Sequence, residues 1–189
     1  MTQSEVLDLF RSSGALLEGH FRLSSGLHSP GYLQSALVLQ HPAHAEPLGR
    51  ALGDRLRATG GTVVLSPALG GLIIGHEVAR ALGVRAIFAE RQDGALTLRR
   101  GFTLSPDDRV VVIEDVVTTG GSTRETMAVA EAGGAKVVGA GALVDRSGGN
   151  SNLGVPFSAL VTLTLATYQP EDCPMCKAGQ AVTKPGSRS

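Results

Sequence analysis

Four branched apolar residues, Val110-Val111-Val112-Ile113, run into two adjacent carboxylates, Glu114 and Asp115. The chain continues through Val116 and Val117 into Thr118-Thr119-Gly120-Gly121-Ser122. Each part of this run suits a different piece of chemistry. The small residues can present several backbone N–H groups and hydroxyls to one phosphate, at the positive end of the helix that follows. Gly120 and Gly121 let the backbone turn tightly and come close to the anion. The two acids would repel a phosphate, so they suit hydroxyl groups instead and could balance a cation developing nearby. One phosphate with two hydroxyl acceptors a sugar ring's width away describes a ribose 5-phosphate. An ordinary helix cap preceded by exposed acids would need no such strand, and the acids here end one whose composition implies burial on both faces.

Two further segments have composition suited to anions. Ser66-Pro67-Ala68-Leu69-Gly70-Gly71 follows a short β-branched strand and opens a helix, so its N–H groups, around Leu69 and Gly70, can face a second anion. Arg91 to Phe102 holds Arg91, Arg99 and Arg100 with Asp93, Gly94 and Gly101, which is too polar and too long for a simple connection. A segment of that kind reads as a lid whose arginines neutralise bound charge and exclude water, with a solvated charged hairpin as the plain alternative. Cys173 and Cys176 form a lone Cys-Pro-Met-Cys turn. This is expected to be a structural piece of tail, with half a metal site or a redox pair as the other readings.

The elements that must position these groups alternate. Ser4 to Leu16 has helical spacing, and Gly19 to Gly31 reads as a short hairpin or loop. Pro42 to Arg57 is a helix stopped by Gly60-Gly61. Strands are expected at Thr62–Leu65, Val84–Ala89, Arg109–Ile113, Lys136–Val144 and Ser158–Leu165. Helices at Leu72–Leu82 and Gly121–Ala132 fall between them. Strands separated by helices of this length imply right-handed crossovers and a mainly parallel α/β sheet flanked by helices. Such sheets bind ligands at the carboxyl ends of their strands, near a switch in strand order.

Composition bounds the rest. With 189 residues the chain suits one domain: residues 1–40 a small hood with the N-terminal helix, 41–167 the α/β core and 168–189 a tail. Seventeen basic and 17 acidic residues cancel, so no global field advertises a nucleic-acid or membrane partner. Phosphate binding must come from local geometry. No apolar run approaches a bilayer span and no charged-then-apolar leader opens the chain, so the expectation is a cytoplasmic protein.

The run Val110–Ser122 resembles the 5-phosphoribosyl-1-diphosphate (PRPP) motif of type I phosphoribosyltransferases: four apolar residues, two acids, two apolar residues, then Thr-x-Gly-(Gly/Thr)-(Ser/Thr). Every position matches. The resemblance implies that family's fold. It also implies that Glu114 and Asp115 hold the ribose hydroxyls while Val116, Val117 and Thr118 to Ser122 line the 5-phosphate site. Leu69 and Gly70 would lie in the pyrophosphate loop. Mg2+ would be the cofactor, carried mainly on PRPP with no direct protein ligand.

Over the whole chain the sequence is similar to compact bacterial and archaeal orotate phosphoribosyltransferases. The matching segments are Phe21–Gly26, Ser29–Tyr32, Glu90–Arg91, Leu98–Phe102, Val144–Arg146, and the tail from Cys173 to Ser187. That resemblance implies that Arg146 holds the orotate carboxylate, a planar anion suited to a guanidinium fork. It places Tyr32 and Leu33 against the ring and Thr118 beside it. It further implies a homodimer whose lid acts in the neighbouring subunit's site, a role that carries over to Arg91, while Arg99 and Arg100 are assigned to it from their charge and loop position. Better-known members carry lysine where this chain has Ser24 and Gly70, and their lid is richer in lysine. A purine-base enzyme for xanthine or adenine would put an aromatic or acidic reader at Arg146. A PRPP-sensing regulator would lack the lid.

Overall fold

The structure, a computed structural model, describes residues 1–23 and 25–185. Ser24 and residues 186–189, including the end of the matched tail segment, lie outside the described residues. Helix α1 (Gln3–Ser12) starts on a capping box in which the Thr2 hydroxyl and the Glu5 carboxylate satisfy each other's backbone N–H groups. It stops short of Leu16 because Gly14 takes a left-handed conformation and the Ala15 N–H returns to the Phe10 carbonyl at 2.7 Å. The chain then forms an antiparallel hairpin, β1 (Leu16–Arg22) and β2 (His28–Leu33), as a separate two-stranded sheet. A short helix not expected from the sequence, α2 (Ser35–Leu39), leads into α3 (Pro42–Leu56).

The main sheet has six strands in the order β5-β4-β3-β6-β7-β8. Strands β3 (Val63–Pro67), β4 (Arg85–Gln92), β6 (Arg109–Val117), β7 (Lys136–Asp145) and β8 (Phe157–Thr162) are mutually parallel, and β5 (Ala95–Leu98) is antiparallel at one edge. Helices α4 (Gly71–Leu82) and α5 (Gly121–Ala132) cross over between β3 and β4 and between β6 and β7. Alternation along the central strands explains their unbroken apolar sequence. Val64, Val111 and Ile113 enter the core beneath α1, α3 and α4, whereas Val63, Leu65, Val110 and Val112 enter the opposite core with Met127 and Ala130 of α5. Each such side chain taken fully from water contributes roughly 1.5–3 kcal/mol.

From β3 the chain moves outward to β4 and β5, then returns to the other side of β3 to form β6. The order therefore reverses between β3 and β6, and the loops leaving those two strands flank the crevice where open α/β sheets take ligands. Both loops are the ones whose composition suited anions.

The segment Arg91 to Phe102 is not an open loop. Arg91 and Gln92 continue β4, and Asp93 and Gly94 make a two-residue turn with φ of 50° and 87°. Ala95 to Leu98 then pairs back as β5. Asp-Gly favours this turn because both central positions need positive φ, a signal the polarity of the segment obscured. Phe88 and Phe102 pack edge to face at 5.1 Å across the hairpin's base.

Candidate active site

Strand β6 carries the acid pair two residues before its own end, so both carboxylates are held by sheet backbone rather than by a loop. Glu114 is buried, with 7 % of its surface exposed, while Asp115 is half-buried. Asp115 accepts the Val116 N–H at 2.8 Å, and Glu114 accepts the Asp115 N–H at 3.3 Å. Burial first, and then the neighbouring Asp115 carboxylate, pushes Glu114 well above the ordinary carboxyl value. Burial thus favours the protonated form of the Glu114 carboxyl.

Beyond Val117, Thr118, Thr119, Gly121 and Ser122 are exposed, and α5 has Gly120 as its N-cap, with no side chain capping its N–H groups. That leaves the first turn's donors open toward solvent. Gly120 has φ of 76°, and a Cβ there would lie 2.8 Å from Leu153 Cδ2 and 2.9 Å from Arg124 Nη1. Glycine is favoured there by the positive φ, and any larger residue would also have to displace the Leu153 and Arg124 side-chain ends. Arg124 was not singled out from the sequence, although a cation in the first turn opposes the helix dipole and is a signal in itself. Its guanidinium donates to the Thr119 carbonyl and, at 2.8 Å, to the Ser151 carbonyl, tying the loop to the 147–156 segment.

The β3 loop meets the acids directly. A Cβ on Gly70 would stand 2.8 Å from Asp115 Oδ1, and one on Gly71 would stand 2.9 Å from the Ile113 carbonyl. Leu69 is 78 % exposed and the Ala68–Leu69 peptide is cis. The topology thus places the Leu69–Gly71 backbone and the β6 acids in one crevice, with Gly70 in contact with the carboxylate.

Arg146 follows β7, its N–H donating to the Val117 carbonyl at 2.7 Å, so it is anchored to the end of the acid-bearing strand. The Asp145 carboxylate does not pair with it. Asp145 is buried and accepts the Ser147 and Gly149 N–H groups at 2.7 and 3.0 Å, building the next turn. Arg146 makes no ion pair among the described residues, and its Nε is buried without an acceptor. Burial lowers its affinity for a proton, while the Tyr32 oxygen acts the other way. Tyr32, on β2, is itself raised by burial and by Asp115, so the phenol lies in the field of both groups. Leu33, the next residue, points to the opposite face of β2 and is buried in the main core.

The three lid arginines are not equivalent. Arg91 pairs with Glu125 of α5 at 2.6 Å and donates to the Gly94 carbonyl at 2.7 Å. Arg100 grips Glu90 with two bonds of 2.7 and 2.8 Å. Arg99 is exposed and has no ion pair among the described residues.

The sequence model of the phosphoribosyl transferase domain matches residues 35–153, which includes both crevice loops, the lid and Arg146. The orotate phosphoribosyltransferase of Pelotomaculum thermopropionicum is 55 % identical over 188 residues, covering 100 % of this chain and 99 % of that protein. That of Heliobacterium modesticaldum is 55 % identical over 191 residues and covers 100 % of both. Among solved structures, the orotate phosphoribosyltransferase of Aeropyrum pernix superimposes with a TM-score of 0.70 at 27 % identity, over 84 % of this chain and 93 % of that one. With full-length identity at this level and the domain model spanning residues 35–153, the chain belongs to the orotate phosphoribosyltransferases within the phosphoribosyltransferase family.

Proposed function

We propose that the protein transfers the 5-phosphoribosyl group of PRPP to N1 of orotate, giving orotidine 5-monophosphate and pyrophosphate. The observation that carries the choice of base is the half-buried Arg146 guanidinium, with a buried Nε lacking an acceptor and Tyr32 in its field. A buried donor without a partner costs free energy unless a ligand supplies one, and a planar carboxylate matches its fork. Adenine offers no anion there.

In this reading the open N–H groups and hydroxyls from Thr118 to Ser122 bind the 5-phosphate, with Val116 and Val117 holding their approach. Asp115 accepts from one ribose hydroxyl, and the Glu114 carboxyl, whose protonated form burial favours, pairs with the other. The N1–C1 bond forms as the C1–O bond breaks with its electron pair leaving on pyrophosphate and the N1 proton passing to that diphosphate or to water, while the Asp115 carboxylate steadies the positive charge that develops on the sugar. Leu69 and Gly70 present backbone to the departing diphosphate. Arg91, Arg99 and Arg100 neutralise its charge, Arg99 directly and the other two on exchanging Glu125 and Glu90 for substrate. Thr118 and Tyr32 fix the orotate ring.

The donor set suits Mg2+ brought in on the substrate: hard oxygens of the β6 acids fix the ribose, whose hydroxyls and diphosphate would hold the ion. Bound there, the ion offsets charge on the leaving group. The chain works as one domain, residues 1–40 as hood, 41–167 as core and 168–189 as tail. It forms a homodimer in which each lid serves the partner's site, and it acts in the cytoplasm. No helix among the described residues is long and apolar enough to cross a membrane.

The test is absorbance at orotate's band with PRPP and Mg2+, with adenine and xanthine run in parallel. Loss of orotate absorbance with stoichiometric pyrophosphate release is expected. Turnover of xanthine or adenine with none of orotate would end the reading.

A further inference from the structure

The hood and the tail bring together four soft donors that the catalytic reading leaves unused. His20 of β1 and His28 of β2 are 5 % and 6 % exposed, Cys173 is fully buried, and Cys176 opens to solvent on the single-turn helix α6 (Pro174–Lys177). His20 Nε2 lies 2.8 Å from His28 Nδ1, 3.6 Å from Cys173 Sγ and 3.7 Å from Cys176 Sγ, and Cys176 Sγ lies 3.2 Å from His28 Nδ1. All four donor atoms fall within 4.8 Å of one another. We propose that this cluster is a structural zinc site, with His20 Nε2, His28 Nδ1, Cys173 Sγ and Cys176 Sγ as its four ligands.

Geometry favours zinc over a chance gathering. A tetrahedral zinc with nitrogen at about 2.05 Å and sulfur at about 2.3 Å separates N from S by about 3.6 Å and N from N by about 3.3 Å. The two separations from His20 Nε2 to sulfur, 3.6 and 3.7 Å, already lie there, while Cys176 Sγ and His28 Nδ1, 3.2 Å apart, must part by about 0.4 Å and the two nitrogens by about half an ångström. The second shell is also in place. The Gln180 carbonyl, 2.9 Å from His20 Nδ1, can only accept, so Nδ1 carries the proton and the Nε2 lone pair faces the cluster. A bulge between Glu18 and Phe21 turns His20 inward beside Phe21, breaking the strand's alternation. Two imidazoles and two thiols, closed to all but one edge, match a four-coordinate structural site rather than an open catalytic one.

The tail's course gives the site its purpose. Tyr168 bridges to His28 with reciprocal backbone bonds of 2.9 Å. Thr183 bonds to His20 and Arg22 at 2.8 and 2.9 Å, so the tail brackets the hairpin on both sides. Zinc would staple the tail to the hairpin that carries Tyr32. The site shares no residue with the cradle or with Arg146.

The test is metal analysis of the purified full-length protein in the absence of substrates, so that its outcome is independent of the catalytic assay. About one zinc per chain is expected, released when a mercurial titrates the two thiols. Cobalt added to metal-stripped protein should give the visible bands of a tetrahedral thiolate site. Cys176→Ser, at the exposed ligand, should lower zinc content at least tenfold while keeping native far-UV dichroism. Stripping zinc from the wild type should lower Tm by at least about 5 °C. Less than about a tenth of a zinc per chain from zinc-supplemented cultures, with no cobalt bands, overturns the proposal. So does a Cys173–Cys176 disulfide in the protein as isolated.

Discussion

Arg146 and Glu114 are two charged-type side chains whose surroundings disagree with their charge, and each makes a measurable prediction. Arg146 stabilises nothing visible in the fold, since its Nε is buried without an acceptor and no acid pairs with it among the described residues. Arg146→Ala should therefore leave Tm unchanged or slightly higher. It should raise the orotate KM roughly 10- to 150-fold, the equivalent of losing a charge-assisted pair of about 1.5–3 kcal/mol, with PRPP KM within about twofold. Equal loss of both affinities, or a fall in Tm, would make Arg146 a structural residue. Glu114 is raised well above its ordinary carboxyl value of 4.5 by burial and then by Asp115. The folded chain holds that proton more tightly than the unfolded one, so Glu114's contribution is fully present below the unfolded value. It is lost progressively as pH rises toward the folded value. Glu114→Gln should then raise Tm at pH 7 and lose that gain at about pH 4, read as the difference between two melting series. A Tm change independent of pH would refute the titration and leave only a packing effect.

At the scale of elements, the β4–β5 hairpin carries the lid arginines on an ordered edge of the sheet. Its ion pairs, Arg91 with Glu125 and Arg100 with Glu90, are largely exposed on at least one side. Such pairs contribute about 0–1 kcal/mol. Arg91→Ala and Arg100→Ala should accordingly shift Tm by no more than about 3 °C. Arg91→Ala and Arg99→Ala should each lower kcat about tenfold or more, because transition-state charge on the diphosphate loses a donor. Parallel loss of stability and turnover would assign these residues to the hairpin's structure. Differential scanning fluorimetry beside steady-state rates separates the two outcomes.

For the whole molecule, the proposed lid over the neighbouring site would make catalysis a property of the dimer. Asp115→Asn disables the site of its own chain, and Arg99→Ala disables the lid it would lend. Mixed in equal amounts and exchanged, half of the dimers combine one of each. Every such dimer then holds one site with both defects and one with neither, so about a quarter of wild-type activity should return. A mixture no more active than its parents would place each lid over its own site. The strand-order switch between β3 and β6 adds a molecular-scale cause for the crevice, since no local sequence property brings Gly70 against Asp115.

Sequence alone settled what short-range physics controls. The acid pair before a small-residue helix start, the βαβ rhythm and the hood hairpin were legible because period, glycine stops and charge are local. Even the lid's hairpin was written in Asp93-Gly94, where both turn positions need positive φ. Tertiary structure decided what depends on long-range burial and on which face a side chain takes. Leu33 joined the main core while Tyr32 came into the field of Asp115 and Arg146, and Asp145 turned to the Ser147–Gly149 backbone, leaving Arg146 without an ion pair among the described residues. Cys173 and Cys176 gained His20 and His28 across about 150 residues of chain, a separation over which sequence spacing carries no geometric information.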